Sequence, residues 1–251
     1  MTIRKTLDFL FEDGEVFEVC LIGSPVPKHP LWDNDFSKGK IVAGWFDDKD
    51  MAEKAILRAE KEVKPSGIYI TVNPTTRALL GRASNRLKAN VSRTSDTEIE
   101  RVSNLYIDVD PKRPSGISAS DEELNLSKEV SNLLYKDLKK HGFPDPLCAK
   151  SGNGFHFIYK VQDVESDLIK AFLHGLAEKY STIHADIDTT VFNPARLIKM
   201  YGTTARKGEN IPDRPHRMSS VSSFPKKIEF VRDVEKIASL NNGYRINNDI
   251  L

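Results

Sequence analysis

The alternation of apolar and polar positions predicts short strands separated by helices. Segments rich in β-branched and aromatic residues predict strands, whereas an apolar repeat of three to four residues after a capping side chain predicts helices. The predicted strands are 41–46, 67–72, 104–110, 154–161, 196–201 and 228–231, and the predicted helices are 49–63, 75–87, 120–141 and 165–180. Because strands and helices alternate, the sequence indicates an α/β or α+β class.

Local signals define several of these helices. Asp48 is a candidate N-cap for the first one, and Ser120 with Glu123 forms a capping box for the third, which we expect to end at Gly142. The spacing predicts inward faces of Met51, Ala55, Ala59 and Val63 in helix 49–63, and of Leu79, Leu80, Ala83 and Leu87 in helix 75–87.

Length and composition exclude several classes of protein. The chain has 251 residues, of which 39% are apolar, so it can bury a core as one large domain or two small ones. No apolar run is long enough to span a bilayer and no signal peptide opens the chain, so we expect a cytoplasmic protein without membrane association. Cys20 and Cys148 are far apart, which argues against a zinc site or a disulfide scaffold.

The net charge of +1 conceals a segregation of charge along the chain. Residues 77–93 contain five basic and no acidic side chains, residues 96–123 contain eight acidic and three basic ones, and residues 196–227 contain eight basic and two acidic ones. Most such runs are solvated faces. The partition also fits a basic groove for phosphates beside a carboxylate cluster, in which case template binding would weaken steeply with salt.

The first motif that could take part in catalysis or metal binding is the pair Asp108 and Asp110 at the end of an apolar strand. Since side chains alternate across a strand, Tyr106, Asp108 and Asp110 share one face, and Leu105 with its alternate neighbours takes the other. Two carboxylates at this spacing can hold divalent ions. A lone DxD pair is weak evidence for a metal site, but its position after an apolar strand strengthens that interpretation.

A second motif, SGNGFH at 151–156, opens the strand that follows it. Its GxG precedes a strand rather than a helix, which argues against a dinucleotide site, and the chain contains no P-loop motif. His156 and the backbone of Ser151–Gly154 could hold an anionic group, although a structural histidine is the simpler interpretation.

The third motif is DID at 186–188, followed by NPARLIKMYGTTARKG. Asp186 and Asp188 would point the same way in an extended chain, and either is a candidate third carboxylate. The basic residues that follow would supply the cations that phosphoryl or nucleotidyl transfer requires.

Taken together, these motifs resemble the archaeo-eukaryotic primase superfamily. The chain is most similar to the primase-polymerases of phages, mobile elements and CRISPR-associated operons, over roughly Gly67 to Pro225. The resemblance implies a catalytic core with an N-terminal α/β module at about 1–102, an RNA-recognition-motif-like antiparallel module at about 103–225 and a tail at 226–251. It places the active site in the cleft between the two modules.

The resemblance also implies roles for individual residues. Asp108, Asp110 and Asp188 match the family's three metal-binding carboxylates, and His156 joins them in catalysis. Asp188 is preferred to Asp186 because relatives place the aspartate just before the NPAR segment. The nucleotide-binding positions are Ser151, Gly152, Asn153, His156, Arg196, Lys199, Thr203 and Lys207, and those for template or a second nucleotide are Asn85, Arg86, Arg206, Arg214 and Arg217.

The function implied is a DNA primase-polymerase that transfers nucleotides from dNTPs or NTPs onto single-stranded DNA with two Mg²⁺ or Mn²⁺ ions and no zinc. Tyr106 is a candidate for sensing the 2′ position of the nucleotide. A helicase or CRISPR adaptation proteins would be partners, and the chain would suit a catalytic core cut from a longer protein. Two alternatives remain: a single-strand-binding module without chemistry, and a two-metal nuclease.

Overall fold

The computed structural model describes residues 2–32 and 41–232, which form two compact units. Unit 1 consists of the described residues up to Arg101, together with Pro194–Lys207 and Arg217–Ser220. Unit 2 consists of Val102–Asn193, Gly208–His216 and the described residues from Val221 onward. Each unit is therefore assembled from segments that are distant in the sequence.

Unit 1 contains a five-stranded antiparallel sheet with the order β4-β2-β1-β3-β9, where strands are numbered along the whole chain. A two-stranded pair, β10 with β11, belongs to the same unit. Its elements are α1 (Thr2–Leu10), β1 (Phe17–Ile22), β2 (Ile41–Phe46), α2 (Lys49–Arg58), β3 (Gly67–Thr71), β4 (Lys88–Ala89), β9 (Leu197–Lys199), β10 (Thr204–Ala205) and β11 (Arg217–Met218).

The central strand β1 of this sheet is buried on both faces. Phe17 stacks between Phe11 and Phe46 with ring centroids 4.5 and 6.3 Å away. On the other face, Cys20 packs with Trp45 in an apolar cluster. Glu18 lies on that second face and is fully buried. Such a carboxylate needs hydrogen bonds and a cationic partner, because burial of an isolated charge is costly.

Unit 2 contains a second five-stranded sheet with the order β12-β6-β7-β5-β8. The chain from β5 to β8 follows a β-α-β-β-α-β path, and the first strand of this path lies between its third and fourth strands, as in RNA-recognition-motif sheets. This confirms the antiparallel module that the resemblance implied. The elements are β5 (Asn104–Pro111), α3 (Asp121–Lys140), β6 (Leu147–Lys150), β7 (Phe155–Lys160), α4 (Ser166–Tyr180), β8 (Ala185–Ile187) and β12 (Ser220–Ser223).

Both helices of unit 2 pack on the apolar face of its sheet. Tyr135 of α3 stacks on Phe157 of β7 with ring centroids 6.1 Å apart. Phe143, just after α3, contacts both Tyr159 of β7 and Phe172 of α4. Phe157 is paired with Ile107 across β5 and β7, so the helices cover the face of β5 that carries Ile107. The carboxylates of β5 project from the opposite face.

Several local signals are confirmed. Asp48 caps α2 by accepting hydrogen bonds from the amides of Asp50 and Met51. The capping box of Ser120 and Glu123 begins α3. Gly142 follows this helix with a φ of 84°, the left-handed conformation expected of a residue that ends a helix.

Helix 49–63 differs from the prediction in its face and in its final turn. Ala59 and Val63 are buried as predicted, but in the first two turns the buried positions are Ala52 and Ile56 rather than Met51 and Ala55, and Met51 is 45% exposed. A spacing of four residues fits both sets, and only the packing of the helix selects one of them. After Arg58 the chain continues as a π-helical turn, Ala59–Val63.

The predicted helix 75–87 is wrong beyond its first turn. Only Arg77–Gly81 is helical, in the 3₁₀ form. The chain then runs beside β2, where the Trp45 amide donates to Ala83 O at 3.0 Å and the Asn85 amide donates to Trp45 O at 2.8 Å. These bonds to a neighbouring strand replace the intrahelical ones, and Asn85 adopts a φ of 52°.

The strand expected at 228–231 is also wrong, because the structure shows only an isolated bridge between Phe230 and Lys160. Residues 233–251 of the predicted tail lie outside the described residues. Over residues 2–32 and 41–232, no helix is both long enough and apolar enough to cross a bilayer.

Candidate functional site

The register of the unit 2 sheet brings the acidic and histidine motifs together. Asp108 of β5 is paired with His156 of β7, and Asp110 is paired with Asp186 of β8. The amide of Asp188 donates to Asp108 O at 3.0 Å, which continues the ladder beyond β8. Because paired residues project from the same face, Asp108, Asp110, His156 and Asp186 belong to one face of the sheet.

Tyr106 lies between Asp108 and His156. Its hydroxyl is 3.0 Å from Asp108 Oδ2 and 2.9 Å from His156 Nε2, and the phenol and imidazole rings meet edge to face at 5.0 Å. Nε2 is also 3.4 Å from Asp108 Oδ1. Burial lowers the pKa of His156 to about 4, although the charge of Asp110 opposes this shift. The imidazole is therefore neutral near pH 7.

A glycine makes room for the carboxylate of Asp110. A Cβ atom at Gly154 would lie 2.3 Å from Asp110 Oδ1 and 2.8 Å from Val109 O, so a larger residue there would displace one of them. Asp110 is 43% exposed, whereas Asp108 is 17% exposed. The guanidinium of Arg113 lies 3.7 Å from Asp110 Oδ1. Asp110 is thus the more accessible of the two carboxylates.

The two candidates for the third carboxylate have different surroundings. Asp188 Oδ1 accepts hydrogen bonds from the amide and the hydroxyl of Thr190, both at 2.7 Å. Asp186 Oδ1 lies 3.2 Å from Lys112 Nζ in an exposed pair. Asp188 continues the ladder beside Asp108, and Asp186 is across from Asp110, so each candidate neighbours a different member of the DxD pair.

The SGNG turn is held by bonds within itself and to the loop before α3. The Ser151 amide and hydroxyl both donate to Gly154 O, at 3.0 and 3.3 Å, and Ser151 Oγ accepts from the Asn153 amide at 3.2 Å. Asn153 Oδ1 accepts from the Ala119 amide at 2.8 Å. Gly152, at the tip, has a φ of 100°. These bonds preform the turn rather than leave it to be ordered by a ligand.

The donor chemistry of this face suits a hard divalent cation. Carboxylate oxygens are the preferred ligands of Mg²⁺, which takes one or two of them and completes its shell with water and substrate phosphates. Within the described part of the chain, no group of three or more His, Cys, Asp or Glu side chains is arranged to hold a metal ion. The fit is therefore to a cation held by Asp108 and Asp110 together with a phosphate, rather than by an all-protein cage.

The predicted basic residues fall mainly in unit 1, and several have structural partners there. Arg206 forms hydrogen bonds to Glu60, which also accepts from Thr204 Oγ1 at 2.7 Å. Burial would raise the pKa of the Glu60 carboxyl, but the bonds from Arg206 and Thr204 outweigh it and lower the pKa. The Arg206 guanidinium is therefore engaged within unit 1, and its removal would leave the Glu60 carboxylate with fewer partners.

Lys199 is buried in the same region. Its ammonium donates to Thr204 O at 2.9 Å and lies 5.5 Å from the centre of the Tyr69 ring. Burial lowers its pKa to about 7; Glu60 raises it and Arg206 lowers it further. With a pKa of about 7, Lys199 loses its proton near neutral pH, whereas an exposed lysine stays protonated there.

The other predicted contact residues are distributed over both units. Thr203 is buried and donates to Met200 O at 2.6 Å, and the Arg196 carbonyl accepts from Val72. In unit 2, Arg214 makes two bonds of 2.8 Å to the Glu123 carboxylate. The remaining positions lie in unit 1 and are Asn85, Arg86, Lys207 and Arg217. The side chain of Asn85 forms hydrogen bonds with the amide and the carboxylate of Asp47.

Sequence reasoning missed Arg113 and the role of Gly154. Arg113 donates to the carbonyls of Pro111, Ile117 and Asn153, so it joins the loop before α3 to the SGNG turn. No periodic signal distinguishes it from a surface arginine. Gly154 was part of a recognised motif, but its close approach to Asp110 depends on the pairing of β5 with β7.

One groove of about 1300 Å³ lies elsewhere in unit 2. It is lined by the end of α3, by residues 162–165 and by residues 227–232. None of the predicted site residues lines it, so we do not associate it with the chemistry of the carboxylates.

At the level of sequence, no protein-family model and no curated protein matches the chain. Among solved structures, the crystal structure of primase RepB′ matches with a TM-score of 0.50 and 13% identity. The match covers 96% of this chain and 60% of RepB′, so the chain spans about three fifths of that protein. The chain therefore shares the fold of primase RepB′ over nearly its whole length.

Two further primase structures match over nearly their whole length. The catalytic domain of primase RepB′ in complex with initiator DNA has a TM-score of 0.48, 12% identity and coverage of 96% of this chain and 94% of that one. The primase-polymerase domain of cyanophage S-2L has a TM-score of 0.49, 16% identity and 95% coverage of both chains. At such identities the likeness concerns the primase fold, and the activity has to be argued from the site.

Proposed function

We propose that this chain is a DNA primase-polymerase, which joins nucleotides from dNTPs or NTPs in the order set by a single-stranded DNA template. One observation supports it above all: in a primase fold, the register places Asp108 and Asp110 beside His156 on one face of the unit 2 sheet. Carboxylates and a neutral imidazole at adjacent strand positions can act on one triphosphate.

Asp108 and Asp110 would hold Mg²⁺ or Mn²⁺ together with the phosphates of the substrate, and the resemblance adds Asp188 as a third ligand. Such ions lower the pKa of an attacking hydroxyl and neutralise charge on the departing phosphates. Asp110 is 43% exposed, so its carboxylate is accessible to a cation from solvent, and the absence of a side chain at Gly154 leaves the room that this carboxylate occupies. Asp108 is more buried and is oriented by the Tyr106 hydroxyl.

The remaining residues of this face would bind and orient the nucleotide. The turn at Gly152 is preformed, and backbone amides in such a turn can bind phosphate oxygens without a large ordering cost. In the reaction, the 3′-oxygen of the acceptor forms a bond to the α-phosphorus while the bond to the pyrophosphate oxygen breaks. For Arg196, Lys199, Thr203 and Lys207, a role in nucleotide binding rests on the resemblance alone.

Primer synthesis on single-stranded DNA, with labelled dNTPs and Mn²⁺, tests the proposal. We expect Asp110→Asn to lower the rate by roughly a thousandfold or more, because the substitution removes a charge at the reacting phosphates. Asp186→Asn, across the sheet from Asp110, is the matched control and should retain most activity. Near-wild-type synthesis by Asp110→Asn, or release of nucleotide rather than pyrophosphate, would contradict the proposal.

The alternative is a module that binds single-stranded nucleic acid without chemistry. A titration separates the two. For a polymerase, dATP affinity should rise with Mn²⁺ and this rise should be lost in Asp110→Asn, whereas a simple binding module should show neither effect.

A further inference from the structure

Tyr106 connects the acidic and histidine motifs through a single hydroxyl. It precedes Asp108 by two residues in β5 and therefore projects from the same face. Tyr106 is only 4% exposed, and its hydroxyl lies within hydrogen-bond distance of Asp108 Oδ2 and His156 Nε2. A buried tyrosine of this kind needs a partner for its hydroxyl, and here two are present.

The direction of the two bonds follows from the number of protons. The phenol has one proton, and an ionised carboxylate is the stronger acceptor, so the hydroxyl donates to Asp108 Oδ2. Its oxygen then accepts from His156, which requires a proton on Nε2. The position of Nε2, 3.4 Å from Asp108 Oδ1, agrees with this because a nitrogen lone pair facing that oxygen would be repelled.

We propose that Tyr106 is a positioning residue, which holds the carboxylate of Asp108 and the imidazole of His156 in one fixed arrangement. The chain of bonds runs from His156 Nε2–H to the Tyr106 oxygen and from the Tyr106 hydroxyl to Asp108 Oδ2. The consequence of this arrangement for catalysis rests on the proposed function. The two hydrogen bonds are independent of that function.

Loss of the hydroxyl should affect both partners. In Tyr106→Phe the ring remains, so the core packing is kept, but Asp108 and His156 each lose a partner in a buried site. Groups that orient a metal-binding side chain typically contribute ten- to a hundredfold to metal affinity. We therefore expect the Kd for Mn²⁺ to rise by roughly tenfold or more, with a smaller change in the melting temperature.

The matched control is Tyr159→Phe. Tyr159 is also a buried tyrosine of the unit 2 sheet, but it lies on the opposite face, against Phe143. Its substitution removes a buried hydroxyl without touching Asp108 or His156. A general loss of stability would appear in both variants, and loss of the proposed arrangement in Tyr106→Phe alone.

Nitrogen-15 NMR of the histidine rings gives a readout that does not depend on activity. The His156 signals are assigned by their absence in His156→Gln. We expect a protonated Nε2 whose proton exchanges slowly with water in the wild type and in Tyr159→Phe, and roughly tenfold faster in Tyr106→Phe. A wild-type Nε2 without a proton, or unchanged exchange in Tyr106→Phe, would overturn the bonding pattern.

Mn²⁺ binding to the nucleotide-free protein tests the positioning role. Weaker binding in Tyr106→Phe alone supports it, and equal binding by the wild type and both variants overturns it. Neither measurement requires primer synthesis, so a protein that makes no primer would overturn the proposed function and leave this inference standing. If Tyr106→Phe lowers the incorporation of dNTPs and NTPs by the same factor, Tyr106 positions the site rather than sensing the 2′ position.

Discussion

Each unit contains a five-stranded sheet, but the carboxylates of the two units have different surroundings. In unit 1 two carboxylates with little exposure have partners within the protein: Glu18 accepts from the Thr94 amide and faces Arg93, and Glu60 is paired with Arg206. In unit 2 Asp110 is 43% exposed, and its carboxylate lies against Gly154 in space that a Cβ atom would fill. The carboxylates of Glu18 and Glu60 in unit 1 are therefore enclosed by partners, whereas Asp110 in unit 2 is accessible from solvent, as the proposed function requires.

Within this comparison, the largest expected effect concerns two glycines, one in each sheet. In unit 2, a Cβ at Gly154 would meet the Asp110 carboxylate and the Val109 carbonyl oxygen, whereas in unit 1 a Cβ at Gly44 would meet the Arg86 carbonyl oxygen. We expect Gly154→Ala to lower primer synthesis about a hundredfold, because small displacements of reacting groups have effects of that size. Gly44→Ala should instead lower the free energy of unfolding by about 1–3 kcal/mol.

Synthesis rates and urea unfolding of both variants test this contrast. Gly81→Ala is the control, since a Cβ there meets no heavy atom within 4 Å. If Gly154→Ala kept its activity while Gly44→Ala lost activity without unfolding, our assignment of chemistry to unit 2 would be wrong.

An intermediate effect is expected at the Glu60–Arg206 pair. Arg206→Met leaves a largely buried carboxylate with a weaker set of partners, so the free energy of unfolding should fall by about 1–3 kcal/mol. Arg58→Met breaks the exposed pair of Arg58 and Glu62 nearby and should change stability by less than about 1 kcal/mol. Weaker template binding by Arg206→Met with unchanged stability would instead favour a nucleic-acid contact.

The most gradual expected effect is a pH dependence from Lys199, which is spread over several pH units. Burial lowers its pKa from 10.5 to about 7, so between these values the unfolded chain holds a proton that the folded protein lacks. Stability attributable to this residue should therefore rise with pH across this window, by at most about 1.4 kcal/mol per pH unit. Below pH 7 both states are protonated and the contribution becomes constant.

Urea unfolding of the wild type and Lys199→Met between pH 6 and pH 10 measures this dependence. The difference between the two curves should change with pH in that window, while Lys54→Met, at an exposed position of α2, should run parallel to the wild type. Parallel curves for Lys199→Met would show that the ammonium is hydrated in the folded protein.

Local signals predicted much of the fold because they depend on neighbours within a few residues. Strand β2 matches its prediction residue for residue, and the capping box begins α3 where expected. The 75–87 helix was wrong because its second half bonds to β2. The site shows the same division, since alternation along β5 predicted that Asp108 and Asp110 share a face, whereas nothing local indicated Arg113.

The sequence by itself determined which residues are candidates for binding or catalysis, namely the DxD pair and the SGNGFH turn. The alternation of side chains also predicted the face of the strand on which each lies. Tertiary structure decided which of them meet. The pairing of β5 with β7 places His156 beside Asp108, brings the Tyr106 hydroxyl between them and sets Gly154 against Asp110. It also engaged Arg206 and Arg214 in ion pairs with Glu60 and Glu123. Register and ion pairing depend on how distant segments pack into a whole core, and no local pattern contains that information.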